Sequence, residues 1–260
     1  MSPVDHISSR ANPFIKDLRR LAQDASAYRS QGAVWLEGDH LVDAAVGHGR
    51  RLQALVLAES ACPNVPQAWS QASERIVRVP DALWREFSAL PSPAGLGAVL
   101  DLPPVAPMRL DSACVVLDRL QDAGNVGSIL RSAAAFGVKQ VLAMHGSAAL
   151  WSPKVLRAGM GAHFALDLFE GLRPSDVLQL KAPLAVTSSH QGQLLHEQPP
   201  PWPCVWVFGH EGQGVDPVLL ASARYQVRII QPAGQESLNV ASAAAICLHA
   251  SAVLAVAGRL

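Results

Sequence analysis

An excess of charge of either sign is the first thing this sequence lacks. Its 260 residues carry 21 Lys and Arg against 21 Asp and Glu, a formal net charge of zero at pH 7. Proteins that hold nucleic acid by bulk attraction carry an excess of basic residues. Any such contact here has to come from local patches or motifs. Closely spaced cysteines are missing too: Cys62, Cys114, Cys204 and Cys247 are far apart, without the near pairs that zinc sites use. Three of them sit in apolar runs, where free thiols serve as core residues. With no signal-like N-terminus either, the expectation is a reduced, cytoplasmic protein. There is no internal repeat, no Ser-His-Asp order, no metal-ligand cluster and no paired-carboxylate spacing. The glycines of 208–214, FGHEGQG, match neither the dinucleotide spacing nor the Gly-Lys-Ser/Thr ending of a phosphate loop.

Half of the residues are apolar, which suits a soluble globular protein, and the length allows one large domain or two ordinary ones. The stretch around which the chain is organised is 229–250, IIQPAGQESLNVASAAAICLHA. It runs from a strand end through a polar loop, marked by Pro232 and Gly234, into an Ala-rich helix over 240–258. Ser237 is the expected N-cap. The helix is apolar on nearly every face, which implies burial in a core, against a second subunit or in a membrane. Asn239, Ser242, His249 and Ser251 interrupt the run and argue against the membrane. Unpaired amides at its N-terminus offer a binding surface to the preceding loop.

Upstream, 1–30 is locally basic, with Arg10, Lys16, Arg19, Arg20 and Arg29, and Ser8, Ser9, Asn12 and Pro13 mark a helix start. These bases are either a solvated helix face or phosphate contacts. A strand over 33–36, a helix over 39–46 and a strand over 52–58 follow, giving a small α/β unit that ends near Val99. Residues 101–108, DLPPVAPM, read as a linker. From Cys114, short apolar strands alternate with helices, the first helix near 126–136, which predicts a parallel sheet covered on both faces. Ligands in such sheets bind beyond the carboxyl ends of the strands, so the loops after Leu117, Ser188, Phe208 and Ile230 become the candidate site.

In the first of these loops, 118–137, Gly124 and Gly127 bracket Asn125 at a loop-to-helix junction, and Arg131 is expected one turn inside the helix. An arginine there opposes the helix dipole and calls for an anion, either Asp118 or Asp122 or a bound phosphate. In the second, glycines let backbone groups approach a ligand, and Glu211 is either a turn residue or functional. The third holds Ser237, Leu238 and Asn239; the fourth, 187–189, is the least distinctive.

Together the segments NVGSILRSAAAFG, VWVFGHEGQGV and IIQPAGQESLNVASAAAICL resemble the three motifs of the SpoU (TrmH-type) RNA ribose 2′-O-methyltransferases of the SPOUT superfamily, in order and spacing. HISSRANPFIKDLRRL and VWLEGDHLVDAAV resemble that family's N-terminal substrate-binding domain, a ribosomal-protein-like α/β fold. The resemblance implies an RNA-binding domain over 1–103 and a SPOUT methyltransferase domain over 104–260 with a C-terminal trefoil knot. It also implies a homodimer, a structured RNA substrate and S-adenosylmethionine as methyl donor, with neither metal nor membrane involved. It places Asn125, Arg131, Glu211, Ser237 and Asn239 in the reaction centre, and the donor against Gly209, Gly214, Ile229 and Leu238 near Thr187. Ribosomal RNA is the expected substrate. The same chemistry on transfer RNA, or a non-catalytic RNA-binding or ribosome-assembly protein on this fold, are the alternatives. The sequence departs from the family pattern at Gly159, where a serine is common. Its neutral charge leaves phosphate contacts to Arg10, Lys16, Arg19, Arg20, Arg50 and Arg51.

Overall fold

The structure, a computed structural model, describes residues 3–61, 65–188, 191–233 and 238–258. The chain divides into two compact units, Met1–Pro104 with Trp151–Phe164, and Val105–Leu150 with Ala165–Leu260. In chain order the first stretch holds β1 (Val4–His6), α1 (Pro13–Gln23), α2 (Ala27–Gln31), β2 (Ala33–Glu37), α3 (Asp39–Gly47), β3 (Ala54–Ala58), α4 (Gln67–Ala72), β4 (Ile76–Val79), α5 (Asp81–Phe87) and β5 (Leu96–Asp101). The five strands form one sheet in the order β1-β4-β3-β5-β2. The helix start read at Asn12 is present: its Oδ1 accepts from Phe14 N at 2.9 Å, and Pro13 opens the first turn. Ile15, Leu18, Leu21 and Ala22 then fall on one buried face. Strands β2 and β3 are buried throughout. Trp35 on β2 meets Trp84 and Phe87 of α5 at ring-centroid distances of 5.9 and 6.0 Å. The three-residue β1 is too short to leave a pattern in the sequence.

After the linker come β6 (Cys114–Leu117), α6 (Ala123–Ala135), β7 (Gln140–Met144) and α7 (Pro153–Gly159). Helix α7 and a 3-10 turn at Ala162–Ala165 lie on the segment that packs within the first unit. There the His163 ring covers Gly159, where a Cβ would stand 2.5 Å from its Cε1, so this chain has no room for the serine common in the family. The chain continues with β8 (Asp167–Leu172), α8 (Pro174–Val177), β9 (Leu184–Thr187), β10 (Gln193–Leu194), β11 (Val205–Phe208), α9 (Pro217–Ser222), β12 (Tyr225–Arg228) and α10 (Val240–Ala257).

The second unit is built on a seven-stranded sheet, β10-β12-β9-β11-β6-β7-β8, in which every pairing is parallel. Its central strands are apolar runs buried along their length, as a sheet covered on both faces requires. From β6 the chain steps through β7 to β8 on one side, then builds β9, β11 and β12 on the other. The reversal falls between β6 and β11, and crevices open at such points beyond the carboxyl ends. The sequence reading missed β10, two residues inside a loop.

Helix α10 is not buried all round in this chain. Ala244, Cys247, Leu248 and Ser251 face inward, with Trp206 Nε1 donating to Ser251 Oγ at 2.8 Å. Ile246, Val253 and Val256 remain 42, 53 and 59% exposed. Helix α10 packs on α6, which covers only part of its circumference. Its N-cap is Asn239, not Ser237, which lies outside the described residues. Asn239 immediately precedes the first helical residue, and its Oδ1 accepts from Ala241 N and Ser242 N at 2.9 and 3.2 Å.

Candidate active site

The sheet brings the ends of β6, β11, β9 and β12 side by side, and each candidate loop leaves from one of them. The loop after β6 is short because Asp122 caps α6, accepting from Asn125 N at 2.7 Å. The helix therefore begins at Ala123, three residues before the sequence reading placed it, and Arg131 lies about two turns inside. The dipole penalty expected for Arg131 fades within the first turn. Neither proposed carboxylate partner is used: Asp122 is the cap, and Asp118 bonds Arg119. Among the described residues Arg131 is exposed and has no hydrogen-bond or ion-pair partner. Helical geometry sets it about 120° round the axis and about 9 Å along from Asn125, and it takes no part in the contacts that Asn125 makes.

Three of the expected residues are joined directly. Asn239 Nδ2 donates to Asn125 Oδ1 at 2.9 Å, and Asn125 Nδ2 donates to Glu211 Oε1 at 3.2 Å. Because Asn239 Oδ1 is held by the first amides of α10, its orientation is fixed. That orientation sets Asn125, which in turn presents a donor to the Glu211 carboxylate. One polar centre thus links the starts of α10 and α6 to the loop after β11.

The loop after β11 is folded tightly on itself. A Cβ on Gly209 would lie 2.5 Å from the Gly214 carbonyl carbon, and Gly214 has φ +71°, so both positions need glycine. Gly214 N donates to His210 O at 2.8 Å, while His210 Nδ1 accepts from Gly212 N at 3.0 Å and Gln213 N at 3.3 Å. The Nδ1 atom is thereby the acceptor, which identifies His210 as a loop-forming histidine. Thr187 donates from Oγ1 to Val207 O at 3.4 Å and pairs with Val227, two residues before the half-buried Ile229. Leu238, beside the Asn239 cap, is 38% exposed.

Sequence reasoning missed Arg119. Its backbone has φ +60°, and its guanidinium meets the fully buried Asp118 through Nε–Oδ1 at 2.7 Å. The signal was available as an Asp-Arg pair right after an apolar strand, where a buried acid needs a partner.

In the first unit the structure sorts the expected phosphate contacts. Arg19 is paired with Glu86 at 2.6 Å, whereas Arg10, Lys16, Arg20 and Arg51 are exposed. Arg75, not anticipated, stacks over the Phe14 ring at 4.5 Å.

Residues 112–249 match the SpoU rRNA Methylase family, and residues 12–98 match the MRM3-like substrate binding domain. An uncharacterized tRNA/rRNA methyltransferase of Synechocystis is 32% identical over 95% of this chain and 93% of its own. The 23S rRNA (guanosine(2553)-2′-O)-methyltransferase RlmP of Bacillus subtilis is 28% identical over 95% of this chain and 98% of its own. An AdoMet-bound rRNA methyltransferase from Sinorhizobium meliloti shares the fold, with TM-score 0.83 and 24% identity over 95% of this chain and 97% of its own. With one residue from each of the three motifs bonded in series and both halves of the chain matched, this protein belongs to the SpoU rRNA methylase family.

Proposed function

We propose that this protein transfers a methyl group from S-adenosylmethionine to a ribose 2′-hydroxyl of ribosomal RNA. The bonded series Asn239–Asn125–Glu211 carries this reading, because it gathers three loops into one polar centre at the strand ends. The Bacillus subtilis relative is a 2′-O-methyltransferase of 23S rRNA, and the same reaction suits this centre. The residues also fit the donor. The close turn at Gly209 and Gly214 and the backbone at Ile229 offer main-chain groups beside Thr187. Exposed Leu238 and Ile230 offer apolar surface to an adenine, and Glu211 is a carboxylate of charge opposite to a sulfonium. When bound, the donor supplies an activated methyl group.

The protein's part is then placement and charge. Arg131 keeps its proton, so it acts as a clamp rather than a base, gripping the adjacent phosphate and stabilising developing charge on the ribose oxygen. The proton passes to a phosphate oxygen or to water. Asn125, Asn239 and Ser237 orient the hydroxyl, and Glu211 holds Asn125.

Residues 1–103 serve as the RNA-binding part and 104–260 as the methyltransferase, knotted near its C-terminus as in the family it resembles. The uncovered stripe of α10 joins two copies as a homodimer. A cytoplasmic location agrees with the buried free thiols of Cys114 and Cys204, which burial pushes up to about 12.

Mapping 2′-O-methyl groups on total RNA from cells with and without the gene tests the reaction. Loss of one ribose methyl in ribosomal RNA supports it, loss in transfer RNA moves the substrate there, and an unchanged map rejects it. Arg131→Lys keeps the charge but loses the fork. Turnover should fall about 100-fold while calorimetry finds S-adenosylmethionine bound as before; near-normal turnover would remove Arg131 from this role.

A further inference from the structure

Asp118 and Arg119 stand at the end of β6, beside the loop that follows β11, and none of the motif roles above uses them. Asp118 is completely buried, yet it carries a carboxylate in an ion pair. A buried charge is tolerated only when its oxygens are fully engaged, and here both are. Oδ1 accepts from Arg119 Nε at 2.7 Å; Oδ2 accepts from Asp216 N at 2.5 Å and from Arg119 Nη2 at 3.3 Å. Asp216 is the residue that ends the glycine loop and caps α9.

Arg119 carries the connection outward. Its Nη1 donates to Gln213 Oε1 at 3.1 Å, and its Nη2 to Gly214 O at 3.3 Å. The side chain thus spans from a buried acid on one strand to the backbone of a loop leaving the neighbouring strand. Hydrogen bonding and charge from Asp118, with a further contribution from Asp216, hold the guanidinium above its ordinary pKa. The backbone pays for this arrangement: φ +60° is unfavourable for an arginine by about 1 kcal/mol or more, and it is held there among these contacts. From within, the loop is closed by His210 and its own amides. From outside, its far limb, 213–216, is fixed by this pair.

We propose that Asp118 and Arg119 are a positioning pair that presets the 209–216 loop for the methyl donor, so that donor affinity depends on the Arg119 guanidinium. This rests on reading that loop as part of the donor site. Neither residue is a catalytic group; each acts through Gly214 and Asp216.

Arg119→Gly removes the clamp on Gly214. Glycine relieves the positive φ, but the buried Asp118 carboxylate loses its charged partner, so the melting temperature should fall. Titration calorimetry of the full-length protein with S-adenosylmethionine should then show a Kd about tenfold weaker, some 1.4 kcal/mol. Arg119→Lys, which keeps the charge without the planar fork, should fall between Arg119→Gly and wild type. Gln213→Ala, which leaves Asp118 and Arg119 paired, should weaken the donor about twofold and guards against poor folding of the first variant. A Kd for Arg119→Gly within twofold of wild type overturns the proposal. So does a loss of affinity that merely follows a fall in melting temperature across the three variants. If the wild-type protein itself takes up no S-adenosylmethionine, the donor-site reading fails, and this pair's role fails with it.

Discussion

Asn239 performs two separable tasks with one amide. Its oxygen caps α10 and its nitrogen orients Asn125. Asn239→Asp keeps the cap, since a carboxylate accepts from the same amides and suits a helix N-terminus, but it cannot donate to Asn125. The variant should melt with the wild type while losing about tenfold or more in turnover, close to 1.4 kcal/mol in the barrier. Asn239→Ala should lose turnover and also about 1 kcal/mol of stability; denaturant unfolding run beside a methylation assay distinguishes the two. Glu37 makes a second residue-level case. It is buried on β2 and accepts from Ser88 Oγ; burial raises its pKa, with the Ser88 hydroxyl and the positive charge of Arg157 acting in the other direction. A raised carboxyl pKa means the folded protein favours the protonated form. The associated stability is fully present below the unfolded pKa and is lost as pH rises through the folded one. Glu37→Gln should therefore match the wild type in melting temperature near about pH 3.5 and exceed it by roughly 2–4 °C at pH 8. The reverse order at pH 8 would show that the carboxylate is compensated by its partners.

Among the elements, α10 is the least settled within one chain. Ile246, His249, Val253 and Val256 follow helical spacing along one stripe, and the three aliphatic residues among them are exposed. A stripe of this kind marks an interaction surface. Val253→Asp should convert the proposed dimer into a monomer by sedimentation velocity; a wild-type protein that sediments as a monomer at micromolar concentration would sink the dimer itself. The strands of the second unit were legible because parallel strands covered on both faces become short unbroken apolar runs such as CVVL and VWVF. Helix starts were less so. Asp122, Ser237 and Asn239 all carry capping side chains, and which one acts is decided by where the loop must turn to reach its strand. The start of α6 was misplaced by three residues for this reason, and with it the setting of Arg131. Strands β1 and β10, three and two residues long, are too brief for alternation to register.

For the whole molecule, zero net charge restricts how RNA is held. Binding has to come from a few placed cations, so the salt dependence should be shallow. Arg20→Ala and Arg51→Ala should each lower the slope of log Kobs against log salt by about one if the side chain meets a phosphate. An unchanged slope assigns that residue to the solvated surface. The division of the chain also goes beyond a reading in order: WSPKVLRAGMGAHF looks like one more helix of the alternating pattern, yet it packs within the N-terminal unit. There Trp151 lies 5.2 Å from the His163 ring and 6.1 Å from Phe164. Sequence order carries no information about which of two apolar cores such a segment joins.

By itself the sequence determined the parallel sheet and the proline-rich linker, through local periodicity and proline content, and it indicated the family through the resemblance of its motifs. Tertiary structure alone decided that Asn239, Asn125 and Glu211 bond in series, and that Arg119 reaches Gln213 and Gly214. Those contacts join residues far apart in the chain, and only the pairing of β6 with β11 and the return of α10 onto α6 bring them within reach.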